Sequence, residues 1–350
     1  MPPDASSGQS GSPSAIARAL KIVGGVTAVL SMVFAIRQAT IFATDHRDRQ
    51  RKVAERLATA ELQRSAHDYR TAWSTLREAA TIDPHADTVQ RARETLAMDW
   101  LDHASGSQGL TLGAIGDTTG PVLTRGTLDA TGARRADLLS HLGWSDFLRL
   151  RDGQNQLDPS TRYRQAMEAD SLNPYAHAML GHWLLWTHTR PDEARAHFAA
   201  AQRSGREGSY VRHLELAAYQ NLQSDAGDLG LLRVANAMRV ANDSVDERLR
   251  GRLWSVYSSR ARQPIAALPT ADPLAVSPRD LLLTYRWLFA SSGYPESNAP
   301  TYGFLLARLE EAAGDRANAL ASYRAARAQL TRGDDRYRRS IDSALVRLGR

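Results

Sequence analysis

Residues Pro300–Leu330 read PTYGFLLARLEEAAGDRANALASYRAARAQL, and this stretch decides the fold. A first amphipathic run closes at Gly314-Asp315, a helix-stop and helix-start pair. The run that follows sets Ala319, Tyr323 and Ala326 at steps of four and three, so a small, an aromatic and a small side chain share one stripe of a helix. Small residues let two helices approach closely while the ring fills the space between them.

The same phrase recurs upstream. DYRTAWSTLREAATIDP (68–84) carries Ala72, Leu76 and Ala79, with Pro84 ending the helix. RPDEARAHFAAAQ (190–202) carries Ala194, Phe198 and Ala201, and STRYRQAMEADSLNP (160–174) keeps Tyr163 and Ala166. One helix pair leaves apolar surface exposed and the next pair covers it, so self-similarity of this kind predicts a stack held by nearest-neighbour interfaces.

Leu180-Gly181 ahead of Ala194, Phe198 and Ala201, Gly314 ahead of Ala319, Tyr323 and Ala326, and the His141-Leu142-Gly143-Trp144 phrase together resemble the tetratricopeptide (TPR) repeat. The matches cover Arg51–Pro84, Ala136–Ser204 and Pro300–Thr331. The resemblance implies an all-α fold, a right-handed α-solenoid of TPR-like helix pairs. It also implies a concave surface lined by the first helix of each pair, which maps onto Ser140, Trp144, Phe147, Tyr175, Ala178, His182, Phe304, Arg308 and Glu311. Aromatic residues beside arginine suit peptide anchoring. Trp144, Trp183 and Trp186 equally suit a packed core. The lysines of a TPR carboxylate clamp are missing from these helices.

The array departs from the pattern in places. One extra residue precedes Ala194, and 208–295 shows helical periodicity without the phrase. Between the first pair (44–102) and the block at 134–207, residues 103–133 hold seven glycines with turn signals at Gly116-Asp117 and Gly120-Pro121, and they read as a linker. In 296–350 the last repeat is followed by DRYRRSIDSALVRLG, which puts Tyr337, Ile341, Leu345 and Leu348 on one side as a capping helix.

At the other end, residues 1–17 read as a disordered tail and 18–43 as a transmembrane helix. Ile22–Ile36 has no charge and no polar face, and Leu20–Phe42 gives 23 residues if Lys21 and Arg37 snorkel to opposite interfaces. A cleaved signal peptide is the alternative, but no A-x-A site follows Ile36. Arg37, Arg47, Arg49, Arg51, Lys52 and Arg56 after the span place the repeat domain in the cytoplasm by the positive-inside rule. An anchor, basic residues and then repeats is also how TPR adaptors of lipopolysaccharide assembly are arranged, although their cysteine-ligated metal module has no counterpart here.

There is no cysteine, and net charge is +6, carried almost wholly by arginine. That bias suggests a GC-rich bacterial genome. The arginines are interspersed with Asp and Glu, which argues against nucleic acid as a partner. No Gly-Lys-Ser/Thr phosphate loop, HExxH or G-x-S-x-G elbow is present. Five of ten histidines fall in His177–His213, but His177 and His182 are five apart, a poor metal spacing. Glu310-Glu311 and Asp334-Asp335 read as solvated charges. No enzyme, cofactor or metal is read from this chain. The expectation is a membrane-tethered scaffold, single-pass in the inner membrane, that binds a protein or peptide. The alternative is a periplasm-facing assembly or chaperone subunit.

Overall fold

A glycine beneath an aromatic ring is what brings these helices together. In a computed structural model describing residues 15–104, 109–153, 158–188, 190–222, 224–260, 276–297, 299–331 and 335–349, every described element is an α-helix. The chain divides into two units, Met1–Trp100 and Leu101–Arg350.

In the first unit, α1 (Ala15–Ser65) packs on α2 (Tyr69–Ile82), and α3 (Asp87–Asp102) follows and runs just past the boundary. Asp68 caps α2 by accepting from the Thr71 amide, 3.2 Å. The stripe expected on α2 is buried: Ala72, Leu76 and Ala79 all face inward, and Val53 of α1 and Val89 of α3 pack with Ala79. Tyr69 and Trp100 stack at 6.4 Å, and Arg64 reaches Asp99 at 2.8 Å.

The tail expected at 1–17 falls on residues 1–14, outside the described residues, and on the opening of α1. The backbone of α1 continues through Ile22–Ile36 as helix, but most side chains of that stretch also lie outside the described residues. Among the described residues no helix is long and apolar enough to cross a membrane.

The second unit begins with a correction. Residues 103–133 do not form a linker: they contain α4 (Leu112–Asp129), packed along α5 (Gly132–Arg151). Gly113, Gly116, Gly120, Leu123 and Thr127 are buried and recur at helical spacing. A Cβ at Gly116 would sit 3.0 Å from the Ser145 carbonyl oxygen, so the glycine admits the α5 backbone. Ser145 Oγ donates to the Gly116 carbonyl at 3.0 Å, and Thr111 caps the helix by accepting from Ala114 N.

From there follow α6 (Ser160–Ala169), α7 (Pro174–Trp186), α8 (Pro191–Arg203), α9 (Gly208–Asn221) and α10 (Asp225–Ala241), then α11 (Glu247–Arg260), α12 (Pro278–Phe289), the short α13 (Tyr294–Ser297), α14 (Ala299–Ala312), α15 (Arg316–Ala328) and α16 (Asp335–Leu348); α5 packs on α6, α7 on α8, α9 on α10 and α14 on α15, while α7 also meets α9, and α12 meets α10 and α14. Tyr163, Ala166, Ala194, Phe198, Ala201, Ala319, Tyr323 and Ala326 are all buried, as the stripes require. A Cβ on Gly143 would lie 2.6 Å from the Tyr163 ring, and one on Gly181 2.9 Å from the Phe198 ring. Only glycine lets α5 meet α6, and α7 meet α8, at these points.

The irregular middle uses the same device in reverse order. Gly230 on α10 sits under the ring of Tyr219 on α9, with no room for a Cβ. Farther along, Trp254, Tyr257, Tyr285, Phe289 and Tyr294 form one aromatic cluster, with Tyr257 and Tyr285 rings 5.2 Å apart. The Tyr257 hydroxyl donates to the Leu281 carbonyl at 3.1 Å. The last helix, α16, buries Tyr337, Ile341 and Ala344, with Leu345 and Leu348 partly covered against the same cluster.

Glu310 corrects a second expectation. It is buried rather than solvated, and Arg286 donates to it at 2.6 Å. A charge removed from water needs such a partner.

If 112–129 is a helix wedged on α5 by its glycines, two substitutions four residues apart report different contacts. Gly116→Ala costs about 1–3 kcal/mol through overpacking against Ser145. Gly120→Ala meets only Ser145 Oγ at 3.5 Å, ordinary contact, but precedes Pro121 in the helix, so any cost there comes from the local backbone and not from α5, and a Ser145→Ala background relieves the Gly116→Ala penalty alone. Urea unfolding of both variants in both backgrounds checks this, and equal relief at the two sites would argue for a loop.

Candidate functional site

Helix spacing brings five side chains to one concavity. On α5, Trp144, Phe147 and Arg151 lie at i, i+3 and i+7; on α7, His182 and Trp186 lie at i and i+4. They line a half-open cavity of about 270 Å³ in the second unit, closed by Asp102 at the end of α3, by Tyr210, Leu214 and Ala217 of α9, and by Arg248 of α11.

The wall is aromatic. The Trp144 and Phe147 rings lie 4.8 Å apart, and both meet His182 edge-on at 5.1 Å. Trp186 stands edge-on to Phe147 at 5.3 Å, and the Arg151 guanidinium lies over its ring at 5.8 Å. Such a box holds a planar or cationic group by π and cation–π contact. Trp144 itself is pinned, its indole N–H donating to the Leu101 carbonyl at 3.1 Å.

The floor is polar and partly unsatisfied. His141 Nε2 lies 3.3 Å from Asp102 Oδ2 and its Nδ1 2.7 Å from the Asp137 carbonyl. The Asp137 carbonyl can only accept, so Nδ1 carries a proton and donates to it, and a proton on Nε2 lets the charged ring donate to Asp102 as well. Burial alone lowers the pKa of His141, but the Asp102 carboxylate and the Asp137 carbonyl outweigh it and raise it. Among the described residues, three buried atoms at the cavity have no hydrogen-bond partner: Asp102 Oδ1, the Tyr210 hydroxyl and His182 Nδ1. The Tyr210 hydroxyl faces the Asp102 carboxylate without reaching hydrogen-bond geometry. Burial, with Asp102 nearby, pushes that phenol well up.

The structure divides the residues expected to line a groove. Trp144, Phe147 and His182 come together here, and Tyr175 packs just behind them, between His141 at 4.6 Å and Tyr210 at 5.1 Å. Ser140 and Ala178 are fully buried, Ser140 donating to the Ala136 carbonyl at 2.8 Å. Phe304, Arg308 and Glu311 do not line the cavity. Phe304 packs on Tyr337 at 4.9 Å inside the last repeat, with the Arg308 guanidinium 5.8 Å from its centre. Glu311 accepts from the Tyr323 hydroxyl at 2.9 Å and from Arg347.

Sequence reading missed Asp102, Arg151, Tyr210 and Arg248, and took Trp186 as a core candidate. Arg151 and Trp186 carried a usable signal, since each extends by one turn a face already assigned. Asp102 carried none, because it meets His141 across 39 residues of sequence.

The other histidines stay apart from the cavity or are already engaged. His177 and His197 face each other at 2.9 Å through their Nδ1 atoms, and His177 Nε2 contacts the Ser171 carbonyl. His213, at the cavity edge, meets the carbonyls of Ser209 and Ser244 at 2.8 and 2.9 Å. Among the described residues no three His, Asp or Glu side chains are arranged to hold a metal ion.

No family model and no curated protein matches the sequence. Among solved structures the chain is similar to the crystal structure of the TPR domain of P58(IPK), at 15% identity and a TM-score of 0.26, covering 85% of this chain and 98% of that one. A likeness of that size decides nothing, and the helix pairs rest on the contacts described above.

His182 makes the cavity acid-sensitive. Burial, reinforced by the positive charge of Arg151, lowers its pKa to about 3. The unfolded chain has an ordinary histidine near ~6.5, so between those values the unfolded state binds a proton that the folded state refuses. The contribution of neutral His182 is therefore present above about pH 6.5 and lost as pH falls toward 3, by about 1.4 kcal/mol per pH unit at most. His141, raised, acts in the opposite sense, and its contribution fades as pH rises through its folded value. Urea unfolding between pH 4 and 7 should show a shallower acid limb for His182→Asn than for the wild type, and an unchanged slope refutes the assignment.

Proposed function

We infer that the protein is a scaffold that binds a protein or peptide partner in the cavity between α5, α7 and α9, and that α1 tethers it to a membrane. One observation carries the binding half: an aromatic box, half open to solvent, whose buried floor holds polar atoms with no hydrogen-bond partner among the described residues. Buried polar groups are normally satisfied, and each orphan costs folding stability unless a ligand or water meets it. Aromatic and arginine side chains gathered at one hollow are also the residue types that dominate protein-recognition hot spots.

The tether is supported by the uncharged run Ile22–Ile36 and by Met32, Phe34 and Phe42, which stand exposed on α1 where a soluble helix would cover them. The basic residues that follow favour a cytoplasmic repeat domain. The bacterial source suggested by arginine usage makes this the inner membrane.

Trp186 is partly exposed at the mouth, so Trp186→Ala removes an anchor without hollowing the core. Recovery of the partner in affinity capture should fall at least tenfold for Trp186→Ala and stay unchanged for Leu172→Ala, at an exposed site outside the cavity. Equal recovery from both would dismiss the cavity as the binding surface. An alkaline phosphatase fusion at Arg350 should be inactive, and an active one would place the repeats in the periplasm.

A further inference from the structure

His182 is buried at the cavity without a partner. It is 5% exposed, it lines the hollow, and among the described residues neither of its ring nitrogens makes a hydrogen bond. Buried polar groups are normally paired, so a ring left open on a cavity marks where an incoming group is met. Burial and the nearby Arg151 keep this ring neutral, so it offers one N–H.

The charges around the ring decide the sign of that group. Arg151 of α5 and Arg248 of α11 are exposed at the mouth, and among the described residues neither has a carboxylate partner. Neighbouring arginines are paired, as Arg149 is with Asp117 and Arg252 with Asp228. His213 of α9 stands at the same edge. The carboxylate that lines the cavity, Asp102 at the end of α3, is already faced by His141 at 3.3 Å and by Tyr210. Two positive charges are thus left at the rim without a counter-charge, and an anionic occupant is the complement.

Size decides its source. At about 270 Å³ the cavity falls just below the ~300–1,000 Å³ of small-molecule sites, and it suits a side chain better than a whole cofactor. Trp144, Phe147 and Trp186 make its wall apolar, so the group that enters is apolar and the groups beside it are charged.

We propose that the cavity takes an internal acidic segment of the partner, one apolar side chain entering the aromatic box and the flanking carboxylates meeting His182, Arg151 and Arg248. This rests on the scaffold reading above and specifies the partner's recognition element.

The test uses the full chain and three unlabelled peptides, acetylated and amidated so that no terminal charge contributes, followed by isothermal titration calorimetry. They are Gly-Glu-Glu-Leu-Glu-Glu-Gly, its Glu-to-Gln analogue and its Leu-to-Gly analogue. The acidic leucine peptide should bind saturably, at least tenfold tighter than the glutamine peptide and at least fivefold tighter than the glycine peptide, and should weaken as salt is raised. The double variant Arg151→Gln/Arg248→Gln, changed at exposed sites, should bind the acidic peptide at least tenfold more weakly and the glutamine peptide no differently. His182→Phe should weaken the acidic peptide at least threefold, and His182→Gln, which keeps an N–H, should restore most of that loss. Equal binding of the Glu and Gln peptides, or unchanged affinity in the arginine double variant, overturns the proposal. If no peptide binds while Trp186→Ala still abolishes partner capture, the scaffold reading stands and the acidic assignment falls; if Trp186→Ala leaves capture intact, both fall.

Discussion

The fold depends on the approach of one helix to the next at a point with no side chain. Gly143 lies under the ring of Tyr163, Gly181 under Phe198 and Gly230 under Tyr219, and in each case a Cβ would collide with the ring. Glycine in a helix interior costs about 1 kcal/mol relative to alanine, so its place there needs a compensating gain. That gain is dispersion and burial: a Tyr or Phe seated flat against backbone meets many atoms at contact distance. Flanking alanines such as Ala166, Ala194 and Ala201, all fully buried, keep the rest of the contact equally close.

Once these contacts fix each pair, the cavity follows from geometry. Gly143 and Trp144 are adjacent on α5, as Gly181 and His182 are on α7, so the residue that admits the second helix is followed by one turned toward the next pair. Trp144, Phe147, His182 and Trp186 line the cavity beside these contacts. The buried pair of His141 and Asp102 then ties the end of α3 to α5 at the base of that cavity.

Much of this was legible in the chain, and what escaped did so for physical reasons. The small-aromatic-small stripe marked α2, α6, α8 and α15 because each stripe lies within a single helix. Pairing between helices was less visible: α9 and α10 put the ring on the first helix and the glycine on the second, so the phrase runs backwards. In α4 the buried positions do recur at helical period, but glycines occupy several of them and the exposed Pro121 lies among them, and both residue types signal a turn when read locally. Glu310 looked solvated beside Glu311 because its partner, Arg286, stands on another helix. The aromatic half of the cavity was readable from spacing along α5 and α7. Its polar floor was not, since Asp102 and Tyr210 reach it from separate helices.

The central claim is that glycine-to-ring contact closes the helix pairs, and a double-mutant cycle on Gly143 and Tyr163 tests it most directly. Gly143→Ala alone should be destabilising because its Cβ falls 2.6 Å from the Tyr163 ring. In a Tyr163→Ala background that ring is gone, so the account predicts that the added penalty of Gly143→Ala largely disappears, with a coupling energy of about 1–3 kcal/mol. Strict additivity of the two substitutions in urea unfolding would contradict it.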